Sequence, residues 1–234
     1  MQYIIGDIHA NIKELDTLLQ HLHLRKGDTL IFLGDYIDKC PYTQETLSCL
    51  SDLDQKYACV FLKGNHEFVW EEYIRTKAGE RRQFLLQKGG KEALQNYTED
   101  VQQALDENNI PLLQKTLQPY VQLIAKTKDW HIVDGYLALH AGLLEEQYTQ
   151  KKLVFQERNF FLRPQEIPQK KKYLNQCVLV AGHTYMGDSP TIEKGYINID
   201  LGAGYGKHIG ALSVTEHKII RSDGTAFYID SSTK

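Results

Sequence analysis

Three short apolar runs in the first third of the chain each end in a polar block that contains a glycine. The runs are Tyr3–Ile5, Thr29–Leu33 and Ala58–Leu62. Helical spacing of apolar residues occupies the segments between them, Asn11–Leu22 and Thr43–Leu53. This alternation predicts an α/β fold in which the strands are parallel and joined by right-handed crossovers. The carboxyl ends of parallel strands meet at one edge of a sheet, so we expect the polar blocks to meet there.

The remainder of the chain divides into a helical part and a β-rich part. From Phe68 to about Lys128 the pattern is helical and polar with glycine and proline breaks, and it predicts a helical insertion beside the polar blocks. Later strands are predicted at His131–Val133, Tyr136–Leu139, Val178–Val180, Tyr196–Ile199, Ala211–Val214, Lys218–Arg221 and Ala226–Ile229. The last three are expected to be antiparallel because short turns join them. The length favours one domain over residues 1–234.

Composition limits the expected setting and partners. A net charge of −3 and a pI near 6.3 leave no dominant basic surface, so no nucleic-acid partner is expected. A strand follows Met1 almost at once, and no apolar run approaches the roughly 20 residues that span a bilayer. The cysteines have no CxxC spacing. We therefore expect a reduced, cytoplasmic setting without signal peptide or membrane contact. The basic run at residues 169–172 is expected to be a solvated loop or helix start.

The polar blocks and two later histidines carry side chains that bind divalent metals. The blocks read Gly-Asp-Ile-His, Gly-Asp-Tyr-Ile-Asp and Gly-Asn-His-Glu, and the histidines stand in Leu-His-Ala-Gly and Ala-Gly-His-Thr. Each block alone has an ordinary explanation as a helix cap, a turn or a core histidine, but their combination predicts one metal centre. The candidate ligands are Asp7, His9, Asp35, Asn65, His140 and His183. Carboxylate, amide and imidazole donors without thiolate suit Mn²⁺, Fe²⁺, Zn²⁺ or Co²⁺.

Two such ions a few Å apart would support hydrolysis of a phosphate ester. A water between two cations has a lowered pKa, so hydroxide is available near neutral pH to attack phosphorus in line. Asp35 has two oxygens with which to bridge the ions. The leaving alkoxide needs a proton, and His66, beside the candidate ligand Asn65, is the expected general acid. Asp38 is the candidate carboxylate that would orient His66.

Over nearly the whole chain the motifs resemble those of the phosphoprotein phosphatase family of calcineurin-like metallophosphoesterases. That family shows GDxHG, GDxxDRG, GNHE, HGG or HAG, and GHT, where this chain has GDIHA, GDYIDKC, GNHE, HAG and GHT. The segment around Gly89-Gly90 is similar to a helical segment of the bacterial-type members, and Ile197–Gly206 is similar to the family's strand and loop after the last metal histidine. The resemblance implies a four-layer α/β/β/α sandwich with a helical insertion. It also implies a serine/threonine-type phosphatase that acts on phosphorylated protein or on a small phosphate ester.

The resemblance further implies roles for individual residues. The metal ligands would be Asp7, His9, Asp35, Asn65, His140 and His183. Asp35 would bridge two divalent ions, with Mn²⁺ the first expectation and Fe, Zn or Co the alternatives. His66 and Asp38 would form the acid dyad.

Phosphate binding is where this chain departs from the family pattern. Lys39 and Lys63 stand where the family has arginines, and Arg158 lies in a segment similar to the family's Trp-x-Arg. Lysine offers a mobile point charge and lacks the planar fork of arginine, so weaker phosphate positioning or a different substrate is expected. Ala10 and Cys40 replace glycines. Ala10 is tolerated unless its position requires a positive φ, and Cys40 is either a small neutral residue or an oxidation-sensitive thiol.

Two other functions remain open. One is hydrolysis of dinucleoside polyphosphates or nucleotides on the same scaffold. The symmetrical dinucleoside tetraphosphatases usually lack the counterpart of Asp38, so its presence favours monoester hydrolysis. A related phosphodiesterase branch has a second histidine where this chain has Tyr185. The other function is that of a catalytically weak pseudo-phosphatase, but a desolvated carboxylate–histidine cluster without metal would be unfavourable.

Overall fold

The computed structural model describes residues 1–168 and 171–230, in which two β-sheets lie between outer helical layers. The strands are β1 (Gln2–Ile5), β2 (Thr29–Phe32), β3 (Ala58–Phe61), β4 (Trp130–Val133), β5 (Tyr136–Leu139), β6 (Val178–Ala181), β7 (Thr191–Glu193), β8 (Tyr196–Asn198), β9 (Gly210–Ser213), β10 (Lys218–Arg221) and β11 (Ala226–Tyr228). The α-helices are α1 (Ile12–Leu22), α2 (Thr43–Lys56), α3 (Asn65–Thr76), α4 (Gly79–Gln87), α5 (Glu99–Ala104), α6 (Ile110–Thr116) and α7 (Gln118–Lys126).

The first sheet contains the parallel strands predicted from the start of the chain. Its order is β11-β10-β9-β1-β2-β3. Strand β2 is parallel to both β1 and β3, with Ile31 opposite Ile4 on one side and Val60 on the other. Strands β9, β10 and β11 are antiparallel to their neighbours. The predictions of a parallel β1–β3 core and an antiparallel carboxyl-terminal group are confirmed.

The second sheet has the order β4-β5-β6-β8-β7. Strands β5, β6 and β8 are parallel, and β4 and β7 add antiparallel edges. The sequence pattern did not predict β7. Its three residues stand between Pro190 and Gly195, and such a run is too short to show the alternation that identifies a strand.

Successive side chains of a strand point to opposite faces of the sheet, so each strand packs against two different layers. In β1, Ile4 faces the second sheet and packs with Val180 and Ile197, whereas Ile5 faces the helices and packs near Leu15. A separate cluster of buried apolar residues covers the outer face of the second sheet. The predicted arrangement of two sheets flanked by helices is confirmed, with one difference in detail. The outer layer of the second sheet consists of short 3-10 helices at Glu145–Thr149, Glu157–Phe160 and Pro164–Glu166.

The helical stretch after β3 begins earlier than the sequence pattern indicated. Helix α3 starts at Asn65, three residues before Phe68. Glu67 explains this start, because its carboxylate accepts the backbone N–H of Gly64 at 3.0 Å and so caps the first turn. The candidate metal ligand Asn65 is therefore the first residue of α3.

Two further expectations concern the surface. Within residues 1–168 and 171–230, no helix has both the length and the apolar composition needed to cross a bilayer. Residues 169 and 170 of the basic run lie outside the described part of the chain. Lys171 of that run is described, and its ammonium pairs with Glu145.

Candidate active site

Five strand ends bring the six candidate metal ligands together. They follow the strands in this order: Asp7 and His9 after β1, Asp35 after β2, Asn65 after β3, His140 after β5 and His183 after β6. Within each sheet these strands are parallel, so their carboxyl ends meet at the same edge. The two edges face each other across one site, to which both sheets contribute donors.

Asp35 lies at the centre of the ligand set. Its carboxylate oxygens are 3.3 Å from His9 Nε2 and 3.4 Å from His140 Nε2. Asn65 Oδ1 lies 2.9 Å from His140 Nε2 and 2.9 Å from His183 Nδ1. Two groups of closely spaced donor atoms both include the Asp35 carboxylate. This geometry fits two cations on either side of Asp35.

Buried carboxylates make the site suited to cations. The backbone N–H of His183 donates to both oxygens of Asp7 at 3.1 Å. Burial raises the pKa of Asp7 well above its usual value, and the charges of Asp200 and Asp35 add to the effect. Burial acts in the same direction on Asp35, but the positive charge that His140 and the other nearby imidazoles carry when protonated outweighs it and holds the pKa of Asp35 below its usual value. Divalent cations would compensate this concentration of carboxylates.

Backbone carbonyls orient two imidazoles of the candidate ligand set. His9 Nδ1 lies 3.1 Å from the carbonyl oxygen of Ile37, and His140 Nδ1 lies 3.0 Å from that of Leu33. A proton on Nδ1 satisfies each carbonyl and leaves the Nε2 lone pair facing the site. Burial lowers the pKa of both histidines, which favours the neutral form that binds metal.

His66 and Asp38 form a buried pair beside these ligands. His66 Nδ1 lies 2.5 Å from Asp38 Oδ2. The indole N–H of Trp70 donates to both Asp38 oxygens at 3.0 and 3.1 Å. Burial by itself lowers the pKa of His66, but the carboxylates of Asp35 and Asp38 outweigh it and raise that pKa above its usual value. A protonated imidazole next to a metal centre can donate a proton to a leaving group.

The hydrogen bonds from Trp70 to Asp38 were not predicted from the sequence. Trp70 lies on α3, four residues after His66, so both side chains project from the same face of the helix. The spacing was visible in the sequence. A tryptophan at that position looks like a core residue, and only the position of Asp38 on another loop reveals its role.

Glu67 joins the loops that carry the ligands. Its carboxylate accepts hydrogen bonds from the backbone N–H groups of Asp35 at 2.7 Å and Tyr36 at 3.1 Å, and from the hydroxyl of Tyr120 at 2.6 Å. Gly64 must remain small, because a Cβ there would lie 2.2 Å from Asp35 Oδ1. No role for Glu67 was predicted from the sequence, and the glycine at position 64 lacks the side chain that would complete the sequence signal of a capping box.

Non-glycine residues of the site adopt left-handed backbone conformations. Their φ values are 50° at His9, 53° at Ala10, 53° at Asp35, 73° at Asp38 and 69° at His183. Each such residue costs on the order of 1–3 kcal/mol, and the strain persists only where surrounding contacts impose it. The position of Ala10 does require a positive φ. Ala10 therefore carries strain that the glycine of the family motif would avoid.

The three residues expected to bind phosphate lie in different places. Lys39 lines the cleft above the ligands, and its ammonium lies 2.7 Å from His9 Nε2. Lys63 instead forms an ion pair with Glu71 at 2.6 Å. Arg158 is 66% exposed and pairs with Glu166 at 3.2 Å. Among the described residues that line the cleft, Lys39 is therefore the only one of the three.

Two other cations line the cleft in place of Lys63 and Arg158. They are Lys88, at the end of α4, and Arg163, just before the 3-10 helix Pro164–Glu166. Arg163 lies five residues after Arg158, outside the segment that resembles Trp-x-Arg, at a position that no motif marks. The cleft encloses about 390 Å³, and its walls also carry the aromatic residues Phe84, Phe161, Tyr185 and Tyr205.

Comparison with known proteins agrees with this architecture. The family model of the calcineurin-like phosphoesterases matches residues 3–207. The chain belongs to this family. It is a metallophosphoesterase-family hydrolase, and His/Asp groups suited to metal binding lie where the strand ends converge.

Relatives with different substrates share the scaffold. A symmetrical bis(5'-nucleosyl)-tetraphosphatase of Pseudomonas syringae is 33% identical over 88 residues, which are 37% of this chain and 28% of that protein. The asymmetrical bis(5'-nucleosyl)-tetraphosphatase PrpE of Halalkalibacterium halodurans is 23% identical over 94% of this chain and 93% of its own length. The solved structure of a cold-active protein-tyrosine phosphatase from a psychrophilic Shewanella has a TM-score of 0.59 at 15% identity, with 98% of this chain and 80% of that chain covered.

Proposed function

We propose that this protein is a dinuclear metal-dependent hydrolase of phosphate monoesters, of the phosphoprotein phosphatase type. The observation that carries the proposal is the His66–Asp38 pair. A protonated imidazole held at 2.5 Å by a buried carboxylate, with its ring beside Asp35, is equipped to protonate the leaving oxygen of an ester. The presence of Asp38 also favours monoesters over symmetrical dinucleoside tetraphosphates.

Residues from both sheets would hold the metals. Asp7, His9 and Asp35 would bind one ion, and Asp35, Asn65, His140 and His183 the other. When bound, the ions would supply Lewis acidity toward the phosphoryl oxygens and toward the attacking water. Mn²⁺ is the first candidate, because oxygen and imidazole donors without thiolate suit it, and Fe, Zn and Co remain alternatives.

The side chains of the protein supply the remaining functions. Asp38, held by Trp70, fixes the ring of His66 so that its Nε2 faces the cleft, where it gives its proton to the leaving oxygen. Lys39, Lys88 and Arg163 attract the phosphate and offset its charge. The aromatic walls reduce the access of water to the reacting groups.

The decisive test is hydrolysis of p-nitrophenyl phosphate by metal-stripped protein, with and without Mn²⁺. Turnover that requires metal and collapses in His66→Asn would support the proposal. His23→Asn is the matched control, because His23 is an exposed histidine outside the cleft, in a left-handed conformation that asparagine tolerates. Absence of turnover in protein that binds metal would overturn the enzyme proposal and favour a phosphate-binding pseudo-phosphatase.

Hydrolysis of nucleoside polyphosphates is a second candidate function. The H. halodurans relative that matches over nearly the full length of both chains is a dinucleoside tetraphosphatase. Lys88 and Arg163 add positive charge beyond Lys39, as a substrate with several phosphates would require. Incubation with diadenosine tetraphosphate and chromatography of the products tests this candidate. ATP with AMP would indicate asymmetrical cleavage, ADP alone would indicate symmetrical cleavage, and unchanged substrate would exclude the candidate.

A further inference from the structure

Tyr205 is an aromatic side chain that packing does not explain. It lines the cleft, yet 66% of its surface is exposed. The ring of Tyr185 lies beside it, with centroids 5.7 Å apart and planes inclined by 50°. An exposed tyrosine at the mouth of a charged cleft offers a flat apolar face to whatever enters.

The loop that carries Tyr205 is fixed to the metal centre. The side chain of Asn11 donates to the carbonyl of Ala203 at 3.1 Å, and the N–H of Tyr205 donates to the carbonyl of Gly202 at 2.8 Å. Gly204 packs so closely that a Cβ would lie 2.4 Å from Lys39 Cδ and 2.7 Å from His9 Cδ2. These contacts therefore hold the backbone of Tyr205 at a set distance from the candidate ligands.

Tyr185 is also held in place. Its hydroxyl donates to Asp188 at 2.6 Å and accepts from the ammonium of Lys207 at 2.6 Å. Its ring lies against Gly202, where a Cβ would come within 3.0 Å of Cδ2. The second ring thus supports the loop of Tyr205 and borders the exposed face from the side.

Positive charge links this aromatic pair to the metal centre. The Lys39 ammonium lies 2.7 Å from His9 Nε2 and 5.3 Å from the centre of the Tyr205 ring. A short phosphate chain could therefore span the distance between the Tyr205 ring and the candidate metal ligands. A molecule with a planar aromatic group at one end and several phosphates at the other would match the ring and the cations together.

We propose that Tyr205, bordered by Tyr185, binds the base of a nucleoside polyphosphate whose terminal phosphate enters the metal centre. This inference rests on the proposed function for the chemistry at the metals, but it concerns recognition of the substrate. Stacking on an aromatic ring depends little on which base is bound, since every base has a π-face. Tyr205 is thus a specificity-determining residue, and it selects nucleotides over polyphosphates that lack a base.

The test compares ATP with inorganic tripolyphosphate, which has the same phosphate chain without the nucleoside. Dissociation constants for both are measured by calorimetry in the presence of Mn²⁺, and kcat/KM is measured in parallel. We expect wild type to prefer ATP and Tyr205→Leu to reduce that preference about tenfold, whereas Tyr205→Trp retains it. Tyr228→Leu is the matched control, because Tyr228 is 76% exposed on β11 and does not line the cleft.

The outcomes separate recognition from catalysis. An unchanged ATP preference in Tyr205→Leu would overturn the inference, whether or not the protein hydrolyses either compound. An equal loss for ATP and tripolyphosphate would also overturn it, because Tyr205 would then act on phosphate alone. A loss of preference in the dissociation constants without turnover of any substrate would support base recognition and contradict only the proposed hydrolase.

Discussion

The ammonium of Lys39 lies 2.7 Å from His9 Nε2, the nitrogen whose lone pair faces the candidate metal centre. The carbonyl of Ile37 engages the other ring nitrogen, so Lys39 and a metal ion compete for the same electron pair. Lysine can leave this position because its four-carbon stem is flexible. An ion that binds at His9 would displace the ammonium toward the cleft, where the phosphate is expected.

Replacing Lys39 should therefore strengthen metal binding. We expect Lys39→Met to lower the dissociation constant for Mn²⁺ at least fivefold, on the order of 1 kcal/mol, as measured by calorimetry on metal-stripped protein. Lys88→Met is the control, because it removes another positive charge that lines the same cleft. An equal gain in both variants would mean that net charge alone sets the affinity and would contradict direct competition.

A second substitution at this position tests the loss of bidentate phosphate contact. Lys39→Arg restores the planar fork of the family motif, so kcat/KM for aryl phosphates should rise, by roughly the factor of ten that one additional charge-assisted hydrogen bond provides. Steady-state kinetics with p-nitrophenyl phosphate measures the effect. A fall in kcat/KM would contradict the prediction and would show that the site positions phosphate better with lysine than with arginine.

The indole of Trp70 should influence proton transfer through Asp38. Trp70→Phe removes the hydrogen bonds at 3.0 and 3.1 Å but keeps an aromatic ring in the core. We expect kcat to fall about tenfold, and to fall further for phenyl phosphate than for p-nitrophenyl phosphate, because the poorer leaving group depends more on the acid. Trp130→Phe serves as the control on β4. An equal loss on both substrates would indicate a structural role alone.

Local sequence motifs predicted much of the fold and the candidate ligand set. Asp7, Asp35 and Asn65 each lie in the loop or helix start just after the carboxyl end of a strand, so a reader of the sequence can place them at the same sheet edge. The parallel strands and the antiparallel carboxyl-terminal group were predictable for the same reason, because periodicity and turn residues are local signals.

The cleft was harder to predict because its cations are brought together by tertiary contacts. Lys88 reaches it because the carbonyl of the next residue, Gly89, accepts the N–H of Lys39 at 3.1 Å and ties the end of α4 to the loop that carries Lys39. Arg163 reaches it from a loop of the second sheet's outer layer. Neither position has a sequence pattern that distinguishes it from a solvated surface charge.

Glu67 should be a main support of the site's stability. It accepts hydrogen bonds from two loops and from Tyr120, so Glu67→Gln replaces an acceptor oxygen by an N–H₂ group that faces donors. We expect a loss of about 1–3 kcal/mol in the free energy of unfolding, measured by urea denaturation of metal-stripped protein. Glu72→Gln, which disrupts a surface pair with Arg75, should cost less than about 0.5 kcal/mol. Equal losses would contradict this role of Glu67.

Cys40 should behave as a small neutral residue and not as a redox switch. Burial raises the pKa of its thiol, and the nearby charge of Lys39 only partly opposes that effect. Its sulfur lies 3.9 Å from the carbonyl of Ala203, where a thiol can donate. Because the thiolate is the species that oxidises, peroxide should inactivate wild type and Cys40→Ser at the same rate. Residual phosphatase activity over time measures this, and clear protection in Cys40→Ser would restore the oxidation-sensitive alternative.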